Sequence, residues 1–278
     1  MRNKRILVVG GGGSIGSELV RQLAPRNKIF ILDNNETATF DLSEELKWKG
    51  FWVEPRIGDI RNKETIRDLF EDFKPQIIFH TAAYKHVAPM EKYPREAIDT
   101  NILGTDNLIS EAKKWECLEK FVFISTDKVV NANCIMGITK LCAEGLVRRA
   151  GKQFVVVRFG NVMASRGSVL EIWQRQFNNK EPLTLTDPNM QRYMMTLPQA
   201  CELVIKASEE GKDGEVWVMD MGRQVKVLDL ATKIIEMSGE KKEIKNIGIR
   251  PGEMLSEKLM TQEEELNAIQ KDKFFIIK

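Results

Sequence analysis

The chain has 278 residues, 42% hydrophobic and 29% charged, enough to bury a substantial core as one large domain or as a domain with a lobe. Its 42 basic and 40 acidic residues leave a net charge of +2, so no polybasic field draws in nucleic acid or an anionic membrane, and basic residues act locally. Four cysteines without a C-x-x-C pair, and only two histidines, argue against a zinc site and read as a reduced, cytoplasmic, metal-free protein.

Taken in chain order, the apolar run Ile6-Leu7-Val8-Val9 is too short for a signal core or a membrane span. Arg5 to Val9 reads as a first strand. It runs into Gly10-Gly11-Gly12-Gly13-Ser14-Ile15-Gly16, which opens a helix and satisfies both G-x-G-x-x-G and G-x-x-G-x-x-G. Alone, such a string is also a flexible turn; as a cradle, it lets a pyrophosphate approach the backbone at a helix N-terminus. A second strand, Lys28 to Leu32, leads to Asp33, 17 residues after Gly16, where a carboxylate can accept from ribose hydroxyls or cap a helix. Its neighbours Asn34, Asn35 and Glu36 include no Arg or Lys for a 2′-phosphate, which favours NAD over NADP. The third strand, Phe51 to Ile57, ends at Gly58-Asp59-Ile60-Arg61, placing Asp59 and Ile60 beside an adenine, with a plain N-cap as the other reading of Asp59.

After an amphipathic stretch from Lys63 to Phe73 comes a fourth strand, Ile77 to His80, then Thr81-Ala82-Ala83-Tyr84-Lys85-His86. A second amphipathic stretch, Pro94 to Trp115, contains Asn101, expected to support the cofactor or a kink in its helix. A fifth strand, Lys120 to Ser125, ends in Ser125-Thr126-Asp127-Lys128, and Met136 and Lys140 follow on a helix running to Ala150. Phe154 to Arg158 is a sixth strand. This β-α-β rhythm predicts an α/β fold: a Rossmann-like, doubly wound parallel sheet with a smaller C-terminal substrate-binding lobe. Residues 1–160 form the dinucleotide-binding part. Residues 161–278, read as helices at Ser168 to Asn178, Pro198 to Glu209 and Val227 to Met237 with one strand at Glu215 to Met219, form mainly the lobe, some segments returning to the sheet.

Ala82, Ala83 and the strip after the fifth strand then face a nicotinamide. In that strip the Y-x-x-x-K spacing common to such sites has Met136 where Tyr would stand, and a thioether cannot move a proton. The segments "GGGGSIGSEL", "AAYKHV", "NILGT", "STDK" with "MGITK", "RFGNV" with "SRGSV", "MQRYMMT" and "RPGEMLSEKL" together resemble the extended short-chain dehydrogenase/reductases. Within them, the chain resembles the bacterial polysaccharide-biosynthesis UDP-N-acetylglucosamine 4,6-dehydratases, in the subgroup carrying Met in place of Tyr.

The resemblance implies a redox-neutral reaction: oxidation of sugar carbon 4 by NAD, elimination of water across carbons 5 and 6, and hydride return to carbon 6, with carbon 5 retained. It implies Asp127 as acid toward the 6-hydroxyl and Lys128 as base at carbon 5, which require a raised and a lowered pKa respectively. Lys140 then holds the nicotinamide ribose, Thr126 contacts the 4-hydroxyl, and Met136 fills space against the sugar. The base for the 4-hydroxyl stays open between Asp127, acting through Thr126 or a water, and Lys85, His86 or Tyr84. Lys85 also faces the cofactor, and Lys85 and His86 the sugar. Asn161, Arg166, Arg192, Arg250 and Glu253 are implied to hold the sugar, diphosphate and uridine ribose.

Relatives with Met at this place are commonly the catalytic half of longer, membrane-anchored enzymes; no membrane segment is read in this chain, which is either a short relative or a catalytic portion. A homo-oligomer, dimer or larger, is expected through the helices around Pro94 to Trp115 and Met136 to Ala150. A UDP-sugar 4-epimerase and a non-catalytic NAD-binding regulatory protein are the competing readings. The retained Asp127 and Lys128 speak for elimination.

Overall fold

A computed structural model describes residues 1–212 and 214–278. Six strands come from the first part of the chain: β1 (Arg5–Val9), β2 (Lys28–Asp33), β3 (Val53–Ile57), β4 (Ile77–His80), β5 (Lys120–Ile124) and β6 (Phe154–Arg158). Every residue of β4 and β6 is buried, as continuous apolar runs require in a sheet covered on both faces. The connecting helices carry apolar spacing suited to that covering. In α1 (Ser14–Leu23) the buried positions are Gly16, Leu19, Val20 and Leu23, one stripe of a 3.6-residue repeat. Two further helices, α2 (Glu36–Trp48) and α3 (Lys63–Phe73), start on Asn35 and Asn62, whose side chains accept backbone amides of the first turn.

Pro94 to Trp115, expected as one helical stretch, is divided. After α4 (Val87–Lys92), α5 (Pro94–Ala97) passes into a π-helical segment, Ile98–Gly104, before α6 (Thr105–Ala112). Asn101 lies in this segment, and its amide holds the Tyr84 backbone through both its oxygen and its nitrogen. The wider turn brings a helix residue to a loop, as π-bulges do near functional sites. Next, α7 (Ile135–Arg148) leads to β6.

Beyond β6, short strands β7 (Asn161–Val162), β8 (Leu183–Leu185), β9 (Gln191–Arg192) and β10 (Met194–Met195) alternate with α8 (Val169–Asn178) and precede α9 (Leu197–Glu210). Then come β11 (Val216–Met219), β12 (Val225–Lys226), α10 (Val227–Ser238), β13 (Ile244–Asn246), α11 (Gln262–Asn267), β14 (Ile269–Lys271) and β15 (Phe274–Ile277). The main sheet has nine strands in the order β14-β15-β11-β6-β5-β4-β1-β2-β3. Its pairings are parallel from β3 to β11, and β15 runs antiparallel to both β11 and β14. The expected strand at Glu215 to Met219 is β11; the β14–β15 hairpin was not foreseen.

Helices α1, α2 and α9 close one apolar core on one face, and α3, α6 and α7 close another on the opposite face. A third cluster, with Trp173, Leu183, Leu185, Met190, Val227 and Ala231, fills the smaller lobe. Strand order reverses direction between β1 and β4, which opens a crevice at their carboxyl ends. No helix among the described residues is long and apolar enough to cross a membrane.

Candidate active site

The crevice holds a cleft of about 490 Å³ and, beside it, a groove of about 260 Å³. Both are bordered by Gly13, Thr81, Ala83, Tyr84 and Arg166. The glycine run forms their common floor. Gly10 has φ +81°, and a Cβ there would lie 2.5 Å from the Ala82 nitrogen; a Cβ on Gly16 would lie 2.2 Å from the Gly10 oxygen. Neither position admits a side chain. Gly13 caps α1 without a side-chain bond, so the helix presents bare amides to the cleft, together with Ser14 and Ile15.

Asp33, Asn34, Gly58, Asp59 and Ile60 line the groove. The Asp33 carboxylate accepts from Gly12 N at 2.8 Å and from Asn35 N at 2.9 Å. Asp59 is paired with Arg61 at 2.7 Å, and that partner lowers its pKa against the opposing effect of burial. Glu36 is exposed beside Thr37 and does not border the groove. A side-chain-free floor, an uncapped helix start and a carboxylate at the second strand's end fit a dinucleotide's diphosphate and adenosine ribose.

Across the floor stands the strip after β5. Ile124, Ser125, Thr126 and Lys128 line the cleft. Asp127 does not; it is fully buried. A 3-10 turn, Asp127–Val129, points it inward, where its Oδ1 accepts from Thr126 Oγ1 at 3.0 Å and from Lys128 Nζ at 2.9 Å. Its Oδ2 is buried and, among the described residues, without a partner. The direct contact with a sugar hydroxyl expected of Asp127 is therefore closed in this geometry, and Thr126 and Lys128 are its outlets.

Met136 and Lys140 lie one turn apart on α7 and both line the cleft. Met136, 3% exposed, packs with Met90, Ala97 and Cys134, and the Cys134 sulfur caps α7 by accepting from Gly137 N. Lys140 donates to the Ile124 carbonyl and sits 3.8 Å from the Phe123 ring centroid. Burial lowers its pKa to about 7, with the Glu144 carboxylate opposing.

The residues expected to hold the sugar nucleotide divide. Lys85, His86, Asn161 and Arg166 line the cleft. Partial desolvation lowers the Lys85 pKa, Glu171 opposes this, and Arg166 adds to it. Asn161 Oδ1 is buried with no partner among the described residues, an acceptor left open to a ligand. Arg192, by contrast, is buried and donates to the carbonyls of Gln191, Met254 and Leu255, so its guanidinium ties the lobe together. Arg250 is exposed, its backbone N–H held by Glu253 at 3.1 Å, and neither residue borders the cleft. Asn101 is buried and braces Tyr84 from behind, also outside the cleft wall.

Sequence reading missed the support beneath the strip. Ser125 Oγ donates to Glu144 at 2.6 Å, Arg158 bridges Glu144 at 2.6 Å and Glu264 at 2.9 Å, and Arg158 also donates to the Leu259 carbonyl. It also passed over Glu257, inside "RPGEMLSEKL", a buried carboxyl whose pKa burial raises while nearby Lys128 lowers it.

Residues 6–278 match the family model described as "Polysaccharide biosynthesis protein". The chain is 46% identical to the capsular polysaccharide biosynthesis protein CapD of Staphylococcus aureus over 95% of its own length and 46% of that protein's. It thus spans about half of that relative. It is 34% identical to a UDP-glucose 4-epimerase of Rickettsia prowazekii, covering 94% of this chain and 79% of the relative. Among solved structures, Pen from Bacillus thuringiensis superposes with a TM-score of 0.94 at 37% identity, over 99% of this chain and 89% of that one. A dTDP-glucose 4,6-dehydratase of Bacillus anthracis, solved in complex with NAD, shares the fold with a TM-score of 0.79 at 20% identity, over 95% and 89%.

Proposed function

The chain belongs to the polysaccharide biosynthesis protein family, and from that premise we propose that it is an NAD-dependent 4,6-dehydratase of UDP-N-acetylglucosamine. The observation that carries this reading is the strip itself: Lys128 and Thr126 open into the cleft opposite the glycine floor, and both are bonded to the buried Asp127. An elimination needs a base and an acid within reach of adjacent carbons. A simple oxidation does not.

The glycine floor, Asp33, Asp59 and Ile60 would hold NAD, with Ala83 and Lys140 bordering its nicotinamide end. Bound there, NAD supplies reversible hydride acceptance, which makes the overall dehydration redox-neutral. Lys128 in its neutral amine form, hydrogen-bonded to Asp127 at 2.9 Å, removes the proton at carbon 5 and returns it there when hydride reaches carbon 6. The Thr126 hydroxyl meets the 4-hydroxyl and passes its proton toward Asp127 Oδ1. The same carboxyl returns a proton through Lys128 or Thr126 to the departing 6-hydroxyl. Lys140, when protonated, eases loss of the 4-hydroxyl proton, and Met136 supplies a dry wall where a tyrosine would otherwise work. Asn161, Lys85 and His86 orient the sugar, and retention at carbon 5 follows from the Lys128 amine both removing and returning the proton.

A second reading, UDP-sugar 4-epimerase, is favoured by the 34% identity to the Rickettsia relative. It requires oxidation without elimination and leaves Lys128 without a task. Exposed Ile98, Leu103, Ile138 and Leu141 on the π segment and α7 support a homo-oligomeric contact on that face.

The test is incubation of the protein with UDP-N-acetylglucosamine and NAD, followed by mass and proton NMR spectra of the nucleotide sugar. Loss of one water supports the dehydratase. A galacto isomer of unchanged mass means epimerase, and an untouched sugar defeats both.

A further inference from the structure

Residues 163–168, between β7 and α8, cross the mouth of the cleft and are fixed on both sides. On the glycine side, Arg166 donates its backbone N–H to Ser14 Oγ at 2.9 Å. On the other, Lys85 Nζ reaches Ser165 Oγ at 3.4 Å. Gly167, at φ +69°, rests on the His86 ring so closely that a Cβ would lie 2.4 Å from His86 Cε1. Ala164 also takes a left-handed φ of 55°, and Ser168 N–H closes a turn on the Ser165 carbonyl at 2.8 Å. These bends set one side chain, Arg166, at the junction of cleft and groove, beside Gly13.

Among the described residues the Arg166 guanidinium has no carboxylate partner. The acids nearby are otherwise engaged: Asp33 by two backbone amides, Asp59 by Arg61, and Glu171 by the Gly167 N–H. We propose that Arg166 is a ligand of the dinucleotide's diphosphate, and that residues 163–168 form a strap over the cofactor. This departs from the expectation that Arg166 serves the sugar nucleotide, and it rests on the dinucleotide reading of the glycine floor.

The chemistry is that of a diphosphate held from two sides. Bare amides of α1 would hold it from one side, and the planar, always charged guanidinium of Arg166 from the other. Because the strap's anchor is the Ser14 hydroxyl, closing it depends on the same loop that receives the phosphates. Opening it requires release of Ser14 and of the Lys85–Ser165 bond together. A cofactor enclosed in this way exchanges slowly, which suits a reaction with no net redox change.

The experiment measures NAD affinity and NAD release for wild type, Arg166→Ala, Arg166→Lys and Ser14→Ala, and separately measures UDP affinity on NAD-loaded protein. Arg166→Ala weakens NAD about tenfold to a hundredfold, Arg166→Lys weakens it less, and Ser14→Ala speeds NAD release. UDP affinity of the loaded protein changes less than about twofold. Unchanged NAD binding with weakened UDP binding overturns the proposal and returns Arg166 to the sugar nucleotide. Wild type that takes up no NAD at all fails the underlying dinucleotide reading, and the inference falls with it; uptake by wild type that Asp33→Ala impairs keeps that reading intact whatever Arg166 does.

Discussion

The two walls of the cleft are built differently. The wall after β5 stands on a nine-stranded sheet with an apolar core on each face, and its strip is braced by a buried chain of polar groups from Ser125 through Glu144 and Arg158 to Glu264. The opposite wall hangs on three two-stranded pairs, none more than three residues long; Val162 and Met195 of the β7–β10 pair join the sheet's core, and the rest of the lobe packs on one small cluster around Trp173. Short pairs with little apolar cover open at low free energy. Groups needing fixed geometry thus sit on the rigid wall, and groups that meet a large, variable ligand sit on the yielding one.

The largest effect is expected from Lys128→Met on the rigid wall. Turnover should fall about a thousandfold while NAD uptake stays intact; equal loss of both would mean that strip and floor are one unit. Arg158→Met comes next. It leaves Glu144 and Glu264 without their cation in a buried setting, and urea unfolding should show a loss of about 3 kcal/mol.

On the softer wall, Arg192→Met removes the donors to three carbonyls and should cost about 2 kcal/mol, with KM for the sugar nucleotide rising more than kcat falls. A cost matching that of Arg158→Met would show the lobe to be no softer than the sheet. The last effect concerns pH. Lys140 is lowered to about 7 in the fold from an ordinary 10.5, so between these values the unfolded chain binds a proton that the folded chain does not. Stability therefore rises with pH across that window, by up to about 1.4 kcal/mol per unit, and the burial cost is fully present below it. Unfolding of dinucleotide-free wild type and Lys140→Met at pH 7.5 and 9 checks this: the wild type should gain on the variant at the higher pH.

The rigid wall was also the legible one. Runs such as Ile6 to Val9 and Phe154 to Arg158 announce buried parallel strands, the glycine string follows from backbone geometry, and the Met136–Lys140 spacing became legible through the family resemblance. Legibility ended where tertiary contacts chose between local options. Asp127 reads as a cleft residue between Thr126 and Lys128, and a single 3-10 turn takes it inside. Arg192 reads as a phosphate ligand, yet carbonyls 62 and 63 residues downstream capture it. The π segment carries Asn101, which bonds the Tyr84 backbone, and "FFII" pairs antiparallel with β11.

The position of β1 at the centre of the sheet has a consequence for how the molecule is made. One edge of β1 pairs with β2, Ile6 against Ile29, but its other edge waits for β4, Ile6 against Ile77. During synthesis an apolar strand therefore stands with one side unpaired until the fourth strand has emerged and crossed over. Such an edge is a template for intermolecular pairing. Self-association of nascent or refolding chains should begin there, and recovery on refolding should depend more steeply on protein concentration than the native surface would suggest.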